Sequence, residues 1–284
     1  MTAPRATIPT PPIKTKSTQP MTTAKYQLET KSTPEQIAVR KKIEEMFAAR
    51  PMPDEHLLVS LGLYMRSSAL VKILFMNELY ELIRDVPGVI MEFGVWWGQN
   101  LVLLENLRAI HEPFDQTRRV IGFDTFSGYA SHSDADAPSR QDGFTSFSEV
   151  VKPGGYAVSA GYRSYLEELL LLHEKLNVLG TVRKHEVVEG DVVQSVPRYL
   201  KEHPETVVAL AYFDLALYLP TKTCLEAIRP HLVPGSVLVM DEFNFPEAPG
   251  ETRAFREIFG SSGYSIRKSR YIRDKALVFI ESRP

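Results

Sequence analysis

Hydrophobic and polar positions divide this chain into three stretches. In the first, from Met1 to about Lys31, apolar residues are sparse among Thr, Pro, Ser and Lys, and no acidic residue precedes Glu29. Such a composition cannot bury enough surface to offset its ordering entropy, so residues 1–32 are expected to form a disordered tail. In the second stretch, 33–87, apolar residues recur at helical spacing. Thr33-Pro34-Glu35-Gln36 combines an N-cap, a proline suited to the first helical position and the glutamine of a capping box, and it predicts a helix to about Arg50. A second helix is expected over His56 to Met65. A third is expected from Ser67 to about Val86, where Leu70, Ile73, Leu74, Leu79, Leu82 and Ile83 supply the apolar side.

After Pro87-Gly88 the pattern becomes short apolar runs that end in acidic or glycine residues and alternate with helical segments, the signature of an α/β unit with a mostly parallel sheet. Strands are predicted at Val89 to Phe93, Val120 to Phe123, His185 to Glu189, Val207 to Phe213 and Ser236 to Met240. Helices are predicted near Asn100 to His111, Val193 to His203 and Thr221 to Pro230. Two closing strands, near Tyr264 to Arg267 and Ala276 to Ile280, are expected to pair antiparallel at one edge. Residues 125–162, crowded with Ser, Asp, Gly and the aromatics Tyr129, Phe144, Phe147 and Tyr156, are too long for an ordinary connection and are expected to form a substrate lid or a surface excursion.

Composition narrows the partners. A formal net charge of -2 gives no basic field for nucleic-acid phosphates, and the run Arg267-Lys268-Ser269-Arg270 reads as a solvated turn. The single cysteine, Cys224, precludes an internal disulfide and a thiolate metal cluster, and it falls in a predicted helix as a packing thiol. With neither a secretory apolar segment nor a run long enough to cross a bilayer, the expectation is a cytoplasmic protein with no membrane partner. An amphipathic N-terminal helix could pair with a second subunit.

Candidate chemistry gathers at strand ends. Glu92-Phe93-Gly94-Val95-Trp96-Trp97-Gly98 follows a buried strand and opens a helix, so its glycines let backbone approach a ligand where open α/β sheets bind one. The spacing is not G-x-G-x-x-G, which disfavours a nicotinamide cofactor. Asp124 ends the next strand, where a carboxylate can accept both hydroxyls of a ribose, and Gly190-Asp191 can present a carboxylate to an adenine amine. Each acid alone is better explained by capping of the next helix. Three in register at successive strand ends point to a nucleoside.

The runs Glu92 to Asn100, Gly122-Phe123-Asp124-Thr125-Phe126, Ala211-Tyr212-Phe213-Asp214, Met240-Asp241-Glu242-Phe243-Asn244 and Pro249-Gly250-Glu251-Thr252 together resemble the macrocin O-methyltransferase family, especially its deoxyhexose 3-O-methyltransferases. The resemblance covers roughly Ser67 to the C-terminus. It implies a class I, Rossmann-like methyltransferase fold with a seven-stranded sheet, preceded by N-terminal helices, with S-adenosylmethionine as donor and a divalent metal, usually Mg2+, at a sugar or glycoside acceptor. The implied donor residues are Glu92, Gly94, Val95, Gly98, Asp124, Thr125, Gly190 and Asp191. The implied metal ligands are Asp214, Asp241 and Glu242, with Asp214 also catalytic. An all-oxygen donor set suits magnesium, and a bound cation would acidify an otherwise weak sugar hydroxyl.

One departure stands out. Related enzymes often carry a second aspartate, proposed as general base, two residues after the first, where this chain has Ala216. The metal alone, Glu242, His132 or His185 could substitute, or the acceptor could be the amine of an aminosugar, which needs less deprotonation. A donor-binding protein without catalysis is the alternative from a different class. Trp96 or Trp97 could lie near the donor or acceptor, Tyr129, Phe144 and Tyr156 could stack on a sugar ring, and Tyr64-Met65-Arg66 could close over the donor.

Overall fold

The computed structural model describes residues 32–129, 133–137, 151 and 153–281. His132, Phe144, Phe147 and all of the expected tail except Ser32 lie outside these. Five parallel strands, β1 (Val89–Phe93), β2 (Val120–Asp124), β3 (His185–Glu189), β4 (Val208–Phe213) and β5 (Leu232–Met240), are joined by antiparallel β6 (Tyr264–Lys268) and β7 (Ala276–Ile280). Their order across the sheet is β3-β2-β1-β4-β5-β7-β6, so the chain reverses direction of travel between β1 and β4. That reversal opens a crevice at the strands' carboxyl ends, the place where such sheets bind ligands.

Strand alternation builds a core on each face of the sheet. Met91 and Phe93 pack with residues of α6 (Val192–Glu202), α7 (Tyr218–Ile228) and α8 (Gly250–Phe259), including Val196, Leu225 and Phe255. Ile90, Leu210 and Val239 pack on the other side with α3 (Ser67–Leu82), α4 (Gln99–His111) and α5 (Tyr162–Leu176), through Phe75, Leu79, Leu104 and Leu166. The labels α5 and α8 mark two helices that the sequence reading did not anticipate.

The N-terminal helices differ in part from expectation. In α1 (Pro34–Ala48), the Thr33 hydroxyl accepts from the Gln36 amide at 3.2 Å and the Gln36 side chain accepts from the Thr33 amide at 3.0 Å, as the capping box requires. The helix expected over His56 to Met65 is instead a single turn, α2 (Asp54–Leu57), followed by a 3-10 helix at Leu61–Tyr64. Gly62 inside that stretch lowers helical propensity where little tertiary packing restores it.

A buried polar cluster ties α4, α5 and the start of β3 together. Arg108 and Lys184 reach one oxygen of Glu174 at 2.8 and 2.7 Å, and His185 Nδ1 lies 3.3 Å from the other. Glu105 adjoins this group, wholly buried, with neither carboxylate oxygen hydrogen-bonded. Burial raises its pKa to about 8, the nearby Glu174 adds to the rise, and Arg108 and Lys184 oppose it. Although Glu105, Glu174 and His185 sit within metal-ligating distance of one another, Arg108 and Lys184 already occupy Glu174, and burial favours the neutral form of Glu105.

Candidate active site

A cavity of about 380 Å³ opens at the crevice between β1 and β4. One end is lined by Gly94, Trp96, Asp124, Thr125, Asp191, Val192 and Val193, and the other by Asp214, Leu217, Leu219, Pro220, Asp241 and Glu242. Tyr129 and Tyr156 also line it. Seven of the residues expected from sequence therefore meet in one space: Gly94, Asp124, Thr125, Asp191, Asp214, Asp241 and Glu242.

Local backbone chemistry fixes the first end. Gly94 has φ +88°, and a Cβ there would lie 2.1 Å from the Asp214 carbonyl oxygen, so only glycine lets the β1 and β4 ends approach this closely. Asp124 accepts the amides of Val95 and Trp96 on Oδ2, at 2.7 and 2.8 Å, and that of Phe126 on Oδ1, at 2.6 Å. A carboxylate has about four acceptor positions. The loop amides take three, which leaves room for one ribose hydroxyl where two were expected. Asp191 caps α6 by accepting from the Val193 amide at 3.0 Å and still faces the cavity, so the capping and ligand-binding readings coexist at this residue.

Glu92, Val95, Gly98 and Gly190 do not line the cavity. Val95 is buried in the core between the sheet and α4. Gly98 caps α4 with φ +75° beneath Leu166, whose methyl carbon lies 2.4 Å from where a Cβ would sit. Gly190 supports the β2–β3 ends through its amide to the Asp124 carbonyl. Glu92 points to the α3–α4 face, where Asn100 donates to Oε1 at 2.7 Å and Oε2 is left buried without a partner. Burial lifts the Glu92 pKa to about 8, against the lowering influence of Asn100 and Lys72.

Four carboxylates crowd the second end. Oxygens of Asp214, Asp241 and Glu242 lie within 4.8 Å of one another. Glu251 sits wholly buried behind them on α8, accepting the Leu215 and Ala216 amides on Oε1 and the Glu242 amide on Oε2, each at 3.1 Å. Burial raises the Glu251 pKa to about 7, Asp241 adds to the rise, and its hydrogen bonds oppose it. Burial, then Glu251, Asp241 and Asp214, push Glu242 well above the carboxylate range, and Glu242 Oε2 is buried without a partner. Asp214 is pushed up by the protein packed around it and then by Asp241 and Glu251. Since Asp214 is exposed to the cavity, entering water tempers the first of these effects without reversing the direction. Lys275 provides the local counter-charge, 2.5 Å from Asp241 Oδ2, while the Tyr212 phenol donates to Asp241 Oδ1 at 2.8 Å.

Ala216 is buried with φ +59° and does not line the cavity; its neighbours Leu215 and Leu217 do. His185, considered as a base, lies buried in the α4–α5 cluster and not at the cavity. Trp96 reaches the cavity with φ +51° and meets Tyr156 edge-on, 5.7 Å between centroids, whereas Trp97 packs on Tyr162. Tyr64 meets Phe47 and is absent from the cavity wall. Cys224 is a buried core thiol. In the basic run, Ser269 is fully buried and its hydroxyl donates to Glu78 on α3, so that turn is anchored as well as solvated. Sequence reasoning gave no role to Glu251, Lys275 or Tyr212. Glu251 was visible only as part of the Pro249-Gly250-Glu251-Thr252 run that carried the resemblance, and nothing in the spacing of Lys275 tied it to Asp241.

The described part of the 125–162 segment is pinned to the body. Asp136 accepts the Tyr218 amide at the start of α7 at 2.5 Å, and Arg253 of α8 donates to the Ala135 carbonyl, while Tyr129 pairs by backbone with Gly154 and Gly155 within the segment itself. An anion at a helix N-terminus is favoured by the helix dipole.

The family model for macrocin O-methyltransferase matches residues 72–260. A curated protein of Streptomyces olivaceus, 8-demethyl-8-(2,3-dimethoxy-alpha-L-rhamnosyl)-tetracenomycin-C 4'-O-methyltransferase, is 25% identical over 182 residues, 62% of this chain. The chain spans only 61% of that relative's length. Among solved structures, CalS11, a calicheamicin methyltransferase, is 39% identical with a TM-score of 0.80, over 88% of this chain and 94% of that one. The apo form of CalS11, a TDP-rhamnose 3'-O-methyltransferase, aligns at 37% identity and TM-score 0.74, over 88% of this chain and 96% of that one. The O-methyltransferase NovP, at 18% identity and TM-score 0.53 over 75% of this chain and 80% of that one, shares the fold.

Proposed function

The chain belongs to the macrocin O-methyltransferase family, and from that premise we propose that it transfers a methyl group from S-adenosylmethionine to a hydroxyl of a deoxyhexose, carried as a nucleotide sugar or as a natural-product glycoside. The observation that carries this reading is the joining, in one cavity, of an acid-bearing nucleoside end at Asp124 and Asp191 to the carboxylate group at Asp214, Asp241 and Glu242. The rhamnose-type acceptors named for the two relatives make a 6-deoxyhexose the first acceptor to try.

In this reading Asp124 accepts a ribose hydroxyl at its remaining acceptor position and Asp191 faces the adenine, while Glu92, off the cavity wall, braces the end of β1 through Asn100. Gly190, Val95 and Gly98 support the walls without touching the ligand. Asp214, Asp241 and Glu242 fit a magnesium ion: the donor set is all oxygen, Glu242 Oε2 has no other partner, and the four carboxylates, Glu251 included, outnumber the nearby ammoniums of Lys275 and Lys72. Bound there, the ion would acidify a sugar hydroxyl and help orient it. Methyl transfer breaks the donor's carbon–sulfur bond and forms a carbon–oxygen bond, and the hydroxyl proton must leave. Asp214, which faces the cavity, is the chain's own candidate to take it, or Glu242 where it is not a metal ligand.

Incubation with S-adenosylmethionine, Mg2+ and TDP-rhamnose or rhamnosyl glycosides, followed by mass spectrometry, tests the proposal. A single added methyl group is expected, lost on chelation and in Asp241→Ala. Transfer only to aminosugars would favour N-methylation, and donor binding without transfer to any sugar would favour a non-catalytic partner protein. Domain limits at 33–87 and 88–284 are proposed on the same footing. Among the described residues no helix is long and apolar enough to cross a membrane.

A further inference from the structure

Asp241 is held at both oxygens by groups that differ in kind: the Lys275 ammonium takes Oδ2, and the Tyr212 phenol donates to Oδ1 at 2.8 Å. Strand register explains why a tyrosine reaches so far. Tyr212 of β4 stands opposite Val239 of β5, and residues two apart on a strand share a face, so Asp241 is the next position beyond Val239 on the face that Tyr212 occupies. Two residues of strand rise about 6.6 Å. A tyrosine that leans along its strand spans that distance and carries its hydroxyl at the far end of the ring. The Tyr212 side chain is fully buried, and its ring meets Phe75 of α3 edge-on, 6.3 Å between centroids.

Lys72, also on α3, sets the direction of the phenol's hydrogen bond. Its ammonium lies 3.4 Å from the phenol oxygen and 5.3 Å from the ring centroid. An ammonium donates and never accepts, so the phenol oxygen accepts from Lys72 and the phenol's one hydrogen is left for Asp241.

We propose that Tyr212, directed by Lys72, is a positioning residue that keeps the Asp241 carboxylate open to a cation shared with Asp214 and Glu242, against the pull of Lys275. The inference rests on the magnesium reading given above. An ammonium has three hydrogens to donate. One reaches the Asp241 backbone carbonyl, so without the phenol the other two are free to hold both carboxylate oxygens, and the carboxylate is then occupied when a metal ion arrives. The phenol prevents this by fixing Oδ1. Because it carries no charge, it orients the carboxylate without cancelling it as a ligand.

Calorimetric titration of Mg2+ into the full-length chain, with S-adenosylhomocysteine titrated separately, tests the proposal as a double-mutant cycle. Tyr212→Phe keeps the buried ring and removes only the hydroxyl. Its Mg2+ affinity is expected to fall roughly tenfold, while its nucleoside affinity stays within about twofold of wild type. In a Lys275→Met background, where the competing ammonium is gone, the same substitution is expected to change Mg2+ affinity by less than about twofold. A general loss of structure would not depend on Lys275 and would not spare the nucleoside. Equal Mg2+ affinity in wild type and Tyr212→Phe, the same loss in both backgrounds, or a parallel loss of nucleoside binding would each overturn the proposal and leave the magnesium site standing. A wild type that binds the nucleoside but no Mg2+ would overturn it together with the metal reading.

Discussion

Lys275 grips Asp241: its ammonium lies 2.5 Å from Oδ2 and 3.3 Å from the backbone carbonyl of the same residue. A cation at Asp241 must therefore share the carboxylate with Lys275 or displace it. Lys275→Met frees Oδ2 and removes a positive charge, so magnesium affinity measured by calorimetry is expected to rise by about tenfold, or about 1.4 kcal/mol. An unchanged or weaker affinity would mean that Lys275 positions Asp241 more than it competes for it.

Glu251 touches no cavity surface, yet it holds both sides of the carboxylate cluster by accepting the amides of Leu215, Ala216 and Glu242. Glu251→Ala orphans three buried N–H groups and is expected to cost about 3 kcal/mol or more in urea denaturation. Glu251→Gln keeps one acceptor oxygen and sheds a buried charge, so roughly 1 kcal/mol is expected. Equal losses in the two variants would contradict the scaffold role.

Two left-handed glycines make a matched pair. Gly94→Ala adds φ strain and drives a Cβ to 2.1 Å from the Asp214 carbonyl, whereas Gly161, at φ +77°, has nothing within 4 Å. Thermal denaturation should show about 1 kcal/mol lost for Gly161→Ala. Gly94→Ala should lose several times that, or fail to fold.

Glu105 gives a pH dependence with a definite sign. Its folded pKa, raised by burial to about 8, lies above the unfolded value, so its contribution to stability is greatest at low pH and is lost as pH rises through 8. Glu105→Gln removes that loss. Relative to wild type, the variant is expected to gain about 1–3 kcal/mol between pH 5 and pH 9. A difference that stays flat with pH would show that Arg108 and Lys184 already hold Glu105 ionised.

The parallel sheet was legible because its strands are short apolar runs ending in acid or glycine; β1, β3 and β7 have the limits expected from sequence. β5 begins at Leu232, four residues early, because Pro234-Gly235 reads as a turn although the chain stays extended through it. α5 went unseen because its Leu166 and Leu170 follow directly on a loop-like Gly161, and α8 because Pro249-Gly250 resembles a loop. The cavity acids were legible as strand ends. What periodicity could not carry was their second set of partners: Glu251 comes from a helix 9 residues past Glu242, and Lys275 from 34 residues past Asp241. The three amides that claim most of Asp124 come from loops without a regular repeat.

The most direct test of the two-part site is calorimetric titration of S-adenosylhomocysteine, with and without magnesium, into wild type and Asp214→Ala. The account predicts that both proteins bind the nucleoside and that only wild type gives a magnesium signal. No nucleoside binding under any condition would contradict the methyltransferase reading, and equal magnesium binding by both proteins would contradict the placement of the metal.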